Sequence, residues 1–165
     1  HRVEGKGHPF YYYAYGIAIV EVEIHGLTGE HRLLQVDVLH DVGDSLNPAI
    51  DLGQVEGGFV QGYGWLTMED VLFDRNGRVL TRGPSTYKIP AAGDIPARWN
   101  FQLLPDAPQP GTIGGSKAVG EPPLMLAIGV IHALHHAIES FTGQFANLSL
   151  PASSEAILRA LQTPK

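Results

Sequence analysis

Glu121 stands where proton chemistry could be done. It closes the run Gly114-Gly115-Ser116-Lys117-Ala118-Val119-Gly120-Glu121-Pro122-Pro123-Leu124, whose glycines let the backbone turn sharply or lie close against another molecule. Pro122 and Pro123 suit a first helical turn, and an apolar helical pattern follows from Leu124, so Glu121 is expected at a helix N-terminus. Unpaired N–H groups and the helix dipole there favour an anion by about 0.3–1 kcal/mol. The same groups could receive a phosphate. Burial acts the other way and raises a carboxyl pKa. A carboxylate held between those influences can serve as a general base near neutral pH. The bland alternative is a turn in which Glu121 only caps the helix.

Other residues offer weaker chemistry. His132 and His136 are four apart on the following helix, a spacing that can hold a metal. No acidic partner motif accompanies them, and no metal site is expected. His31, His40 and Asp41 match no zinc spacing and are read as surface polar residues. Gln54 and Gln61 lie seven apart on one helical stripe, where a buried amide would offer a heterocycle both donors and acceptors. Two glutamines at the rim of a buried helix are the alternative.

With 165 residues the chain is about one domain long, and it could bury roughly 70% of its unfolded surface. Charged residues make up 17%, hydrophobic ones 44%, and the net charge is -6, which argues against disorder and against non-specific nucleic-acid binding. The absence of cysteine excludes disulfides, cysteine-held zinc and iron–sulfur ligation within these residues. The pattern shows neither an 18-residue apolar run nor a leader, so a soluble, cytoplasmic protein without membrane attachment is expected. The opening His1 to Pro9 carries no starting signal, and the chain is expected to be a piece of something longer.

The elements that would position these residues form an α+β pattern. Ala18, Val20, Val22 and Ile24 alternate with Glu21, Glu23 and His25, and Leu34, Val36 and Val38 alternate with Gln35, Asp37 and Asp41. Joined across Gly26, Thr28 and Gly29, they predict an antiparallel hairpin. Asn47 and Pro48 open a helix running to about Asp70. Its glycines 53, 57, 58, 62 and 64 each cost up to about 1 kcal/mol relative to alanine. Close approach of another backbone or a flat ligand is the favoured explanation.

Val71–Phe73 and Val79–Thr81 around Asn76-Gly77 predict a second hairpin. One strand candidate, Trp99–Leu104, lies in the proline-rich stretch from Gly83 to Pro110. The helix after Glu121 is expected to face the core through Leu124, Ile128, Ile131, Leu134, His135 and Ile138, ending near Ser140. A short helix over Ser153–Leu161 closes the chain. The aromatic run Phe10-Tyr11-Tyr12-Tyr13-Ala14-Tyr15 is expected to cover a core edge rather than stack a ligand.

Three segments carry a resemblance. Ser116-Lys117-Ala118-Val119-Gly120-Glu121-Pro122-Pro123, the run Leu46 to Gly57 with its Leu-Asn-Pro-Ala-Ile-Asp-Leu-Gly-Gln-Val-Glu-Gly, and Thr81-Arg82-Gly83-Pro84-Ser85-Thr86-Tyr87-Lys88-Ile89-Pro90 resemble successive signatures of the xanthine dehydrogenase and aldehyde oxidase family. The resemblance runs in order from about Pro9 to Ser140, and it places residues 1–165 in the C-terminal part of the molybdenum-cofactor domain. The Gly-Pro-Ser-Thr-Tyr-Lys form is closer to xanthine dehydrogenases than to aldehyde oxidases.

The resemblance implies a parent oxidoreductase that hydroxylates xanthine or hypoxanthine, as in purine catabolism. Glu121 would be the general base toward a molybdenum-bound hydroxyl. Gln54 and the backbone of Lys117, Ala118, Val119 and Gly120 would hold the molybdopterin. It further implies iron–sulfur and FAD portions outside this chain, a homo-oligomeric enzyme, and a fragment that alone neither retains cofactor nor turns over substrate. Two alternatives stay open: a relative acting on aldehydes or another N-heterocycle, and a non-catalytic module in which Glu121 is a cap.

Overall fold

The computed structural model describes residues 4–162. Two strands, β1 (Gly16–Ile24) and β2 (His31–His40), pair antiparallel. A third, β3 (Arg98–Leu103), joins β2 in parallel, giving a mixed sheet in the order β1-β2-β3. Helix α1 (Pro48–Thr67) starts where the sequence predicts: Asn47 caps it, accepting from the Ile50 N–H at 3.4 Å, and Pro48 fills the first turn. A 3-10 helix over Pro122–Ala127 runs directly into α2 (Ile128–Thr142), which stops on left-handed Gly143. The Ser153 hydroxyl caps the last helix, α3 (Ser154–Leu161). The α+β expectation holds.

One face of the sheet packs on the helices. Ala18, Val20, Val22 and Ile24 of β1 pack with Val36 and Val38 of β2 in the same core as Ala127, Val130, Leu134 and Ile138 of the second helical stretch. From α1, Val55, Phe59, Tyr63 and Leu66 fill the other half, with Phe59 edge-on to Trp99 and Phe101 of β3 at 5.7 and 5.6 Å. The 21-residue stretch Pro122–Thr142 is apolar and long enough to cross a membrane by length and composition, contrary to the sequence reading; here one face of it is part of this core.

Several local expectations need correction. A register shift between Glu21 and Val22 leaves Leu34 opposite no residue of β1, so Leu33 takes the buried position on β2 and Leu34 is only half-buried. The second hairpin forms around Asn76-Gly77 but its flanks stay too short to be strands: Phe73 bridges Val79, the Leu80 N–H donates to the Leu72 carbonyl at 2.7 Å, and Asp74 Oδ1 accepts from both the Asn76 and Arg78 N–H groups in the turn. Phe10, Tyr11, Tyr13 and Tyr15 are exposed rather than core, since no element of the described chain covers them. The buried stripe of α2 runs through Val130, Leu134 and Ile138, whereas Ile128 is exposed and Leu124, Ile131 and His135 are half-buried. Helix α1 ends at Thr67, short of Asp70, where the Gly64 carbonyl accepts from both Met68 and Glu69.

Candidate functional site

The loop that delivers Glu121 is held against the end of β2. Gly43 bridges Ser116, the Lys117 N–H donates to the Val42 carbonyl at 2.8 Å, and the Asp44 N–H donates to the Gly115 carbonyl at 2.9 Å. Gly43 has φ +67°, and a Cβ there would lie 2.4 Å from the Gly115 oxygen, so only glycine fits this crossing.

Beyond the crossing the exposure alternates from Lys117 to Gly120, and the chain bends at Gly120 and Glu121. Lys117 points inward, 5% exposed, to Asp41 at 2.5 Å; Val119 packs against the core; Ala118, Gly120 and Glu121 face outward. The Lys117 ammonium also donates to the Tyr13 carbonyl at 2.9 Å and lies 5.2 Å above the Tyr15 ring. The Ala118 N–H donates to the Tyr12 hydroxyl at 2.8 Å. The Lys117 and Ala118 amides are therefore engaged within the chain. Those of Val119, Gly120 and Glu121 have no acceptor among the described residues.

Glu121 is exposed at the mouth of an open cleft of about 790 Å³, lined by Gln61, Ala118, Gly120, Pro122, Leu124 and Met125 as well. Its carboxylate makes no capping hydrogen bond. The dipole argument weakens too, because the residues directly after Glu121 form a six-residue 3-10 helix and the α-helix proper begins only at Ile128. The dipole's effect falls off within the first turn.

Helix α1 lies alongside. Gln54 and Gln61 are both exposed, so the expectation of a buried amide is replaced by the rim position. The Gln54 Oε1 sits 4.0 Å from where a Cβ of Gly120 would be, which brings Gln54, Gly120 and Glu121 to one side of the molecule. The glycines divide. Cβ atoms at 58 and 62 would meet Pro123 and the Leu124 carbonyl at 2.9 and 2.4 Å, whereas those at 53 and 57 would meet nothing within 4 Å.

The histidines fall into three groups. His40 and Asp41 are 2% and 5% exposed, so they are not surface residues. His40 continues the phase of Val36 and Val38 on the inner face of β2, a signal present in the sequence, and Asp41 is buried by Lys117. Both ring nitrogens of His40 lack a hydrogen-bond partner, and burial lowers its pKa against the raising influence of Asp41. His31, half-buried, lies 3.3 Å from the Tyr63 hydroxyl and is also lowered by burial, while burial pushes Tyr63 up to about 12. His132 and His136 are exposed on α2. No cluster of three metal-ligating residues occurs among the described residues.

A family model described as the molybdopterin cofactor-binding domain matches residues 1–96. The chain belongs to that family. It is 52% identical over 158 residues to a xanthine dehydrogenase of Dictyostelium discoideum, which covers 93% of this chain and 12% of that protein. Among solved structures it is similar to a quinoline 2-oxidoreductase from Pseudomonas putida 86, with TM-score 0.78 and 29% identity over 87% of this chain and 18% of that one. An aldehyde oxidoreductase from Desulfovibrio gigas gives TM-score 0.74 and 28% identity over 91% and 16%. The chain thus spans 12% of the length of that curated relative.

The residues present fit a molybdopterin. The N–H groups of Val119, Gly120 and Glu121, without acceptors among the described residues, the Gln54 amide, and Gly53 and Gly57, where a Cβ would meet nothing within 4 Å, offer hydrogen bonds and close approach to a phosphate-bearing heterocycle.

Proposed function

We infer that the chain is the molybdopterin-contacting C-terminal part of a molybdenum hydroxylase whose substrates are xanthine and hypoxanthine. The substrate assignment rests on the 52% identity to a xanthine dehydrogenase, against 28–29% to the quinoline and aldehyde enzymes. On the family resemblance, iron–sulfur and flavin portions belong to this reading as well; they would lie outside these 165 residues, which hold no cysteine to ligate a cluster.

When bound, the molybdenum cofactor supplies the two-electron oxidation. The chain's own part is to hold and to move a proton. Val119 and Gly120 offer backbone N–H donors toward the cofactor, Gln54 adds an amide beside Gly120, and Lys117 and Ala118 contribute by fixing the backbone between them. Glu121 takes a proton on its carboxylate from the attacking group. The observation that carries this role is a carboxylate at the mouth of a cleft and without the hydrogen bond that would make it a cap. The Leu124 and Met125 side chains give the cleft an apolar wall that suits a planar ring.

The test is xanthine turnover by the complete enzyme carrying Glu121→Gln, with molybdenum content measured in the same preparation. A general base contributes about 10²–10⁴-fold, and a loss of that size with molybdenum retained is expected. Near-normal turnover would remove Glu121 from the chemistry. Comparing xanthine with quinoline and an aldehyde as substrates of the unaltered enzyme decides the substrate class.

A further inference from the structure

Nothing in the proton transfer described above employs the Lys117 ammonium, yet it is the most completely enclosed cation near the loop. We propose that Lys117, with Asp41 as its counter-ion, is a positioning residue: the pair fixes the backbone from Lys117 to Glu121 and thereby sets where the Glu121 carboxylate stands. This rests on the reading of Glu121 as the proton acceptor.

The geometry argues for a clamp built from three segments far apart in sequence. Asp41 lies just past the end of β2, and its Oδ1 accepts from the Gly43 N–H at 2.8 Å, which holds the carboxylate in one orientation. Its Oδ2 takes the Lys117 ammonium at 2.5 Å, both side chains being 5–6% exposed. The ammonium reaches back to the Tyr13 carbonyl at 2.9 Å, and the neighbouring Tyr12 hydroxyl accepts from the Ala118 N–H at 2.8 Å.

The strand end, the aromatic segment and the loop are thus joined within four residues of Glu121. A surface pair of this kind would be screened and loose, but an enclosed one has a single satisfied arrangement, because any other leaves a desolvated charge unpaired. An ordered loop matters since Gly120 and the outward-facing Ala118 have no packing of their own, and a displacement of about 1 Å at a reacting group can cost on the order of 10²-fold in rate.

The test uses the complete, cofactor-loaded enzyme. Removing one partner alone strands a buried charge, so the informative variant is Asp41→Asn with Lys117→Met, which removes both charges while keeping an acceptor for the Gly43 N–H. Tyr12→Phe is a second variant that disturbs no charge. The first readout is hydrogen exchange of the Lys117 and Ala118 amides, whose acceptors lie within this chain, with the α2 amides as the internal reference. Exchange is expected to quicken by about tenfold or more in the double variant, and less in Tyr12→Phe, while α2 stays protected.

The second readout is the split of steady-state constants. With molybdenum retained, kcat is expected to fall by about 10²-fold while KM changes by less than about threefold, as for an interaction that acts on the transition state. Unchanged exchange at Lys117 and Ala118 would overturn the proposal, and so would faster exchange with unchanged kcat. Full turnover by Glu121→Gln would instead defeat the proton-transfer reading, leaving the exchange comparison to decide whether the clamp orders the loop.

Discussion

Helix α1 carries two pairs of glycines four residues apart, and the two pairs meet opposite surroundings. Gly58 and Gly62 lie under the 3-10 segment that follows Glu121, so closely that a Cβ at 62 would sit 2.4 Å from the Leu124 carbonyl oxygen. Gly53 and Gly57, on the face shared with Gln54 and Gln61, meet nothing within 4 Å. A glycine in a helix interior costs up to about 1 kcal/mol relative to alanine. At 58 and 62 the cost is offset inside the chain, by letting two backbones touch. At 53 and 57 nothing among the described residues offsets it, and on the proposed function the contact that does so would come from the cofactor or a neighbouring segment.

The sharpest way to break this comparison is at the closed pair. Gly62→Val puts a branched side chain against backbone that has no flexible tip to yield, and overpacking of this kind typically costs about 1–3 kcal/mol. We expect a lower urea midpoint for the 165-residue chain. Because the displaced segment is the one that begins at Glu121, the complete enzyme should lose turnover as well. A midpoint equal to that of the unaltered chain would mean that the 3-10 segment moves aside freely and that Gly62 is not a contact glycine.

The open pair should respond with the opposite sign. Gly53→Ala and Gly57→Ala each add helix propensity without a clash, and each is expected to stabilise the chain by up to about 1 kcal/mol. In the complete enzyme the same substitutions should bring no gain, and Gly57→Ala should lower the pterin content measured after release. An equal gain in both settings would show that the face is solvent-exposed in the enzyme too, and the assignment of this face to a cofactor or a neighbouring segment would fall.

The difference between the pairs also shows what was legible in the sequence. The glycine spacing and the expectation of a close approach were readable, because side chains four apart share a helix face whatever surrounds the helix. Which face is covered depends on a segment some sixty residues away and could not be read. The start of α1 was local chemistry, Asn47 and Pro48, and it appears where expected.

The pairing of β3 with β2 is long-range and parallel, and nothing in the residues Trp99 to Leu104 states it. Leu34 was misplaced because a bulge reverses the alternation, and the bulge carries no glycine to mark it. The burial of Lys117 is the largest miss at the site. Its phase with Val119 was visible, but a lysine on an inner face makes sense only once Asp41 is known to lie opposite. Gln54 Oε1 lies 4.0 Å from where a Cβ of Gly120 would be, a proximity between residues far apart in the chain that no local pattern states.

The smallest expected effect concerns the closed region's other unusual feature, the imidazole beneath it. A Cβ at Gly16 would lie 2.6 Å from His40 Nδ1 and 2.9 Å from Leu126 in the 3-10 segment, so the ring is shut in by the same close packing. Burial lowers the pKa of His40 from 6.5; Asp41 opposes that and Lys117 adds to it. Below about 6.5 the unfolded chain takes up a proton that the folded chain refuses, so folding stability rises with pH in that window. The contribution is fully present above the unfolded value and is lost as the pH falls through the lowered folded one. His31 has the same sign through its own burial. Urea midpoints measured between about pH 5 and 7.5 should therefore fall on the acid side. His40→Leu should flatten the slope without abolishing it, leaving the share of His31. A slope unchanged by that substitution would place the sensitivity elsewhere and separate the closed packing around Gly16 from the titration of the ring it encloses.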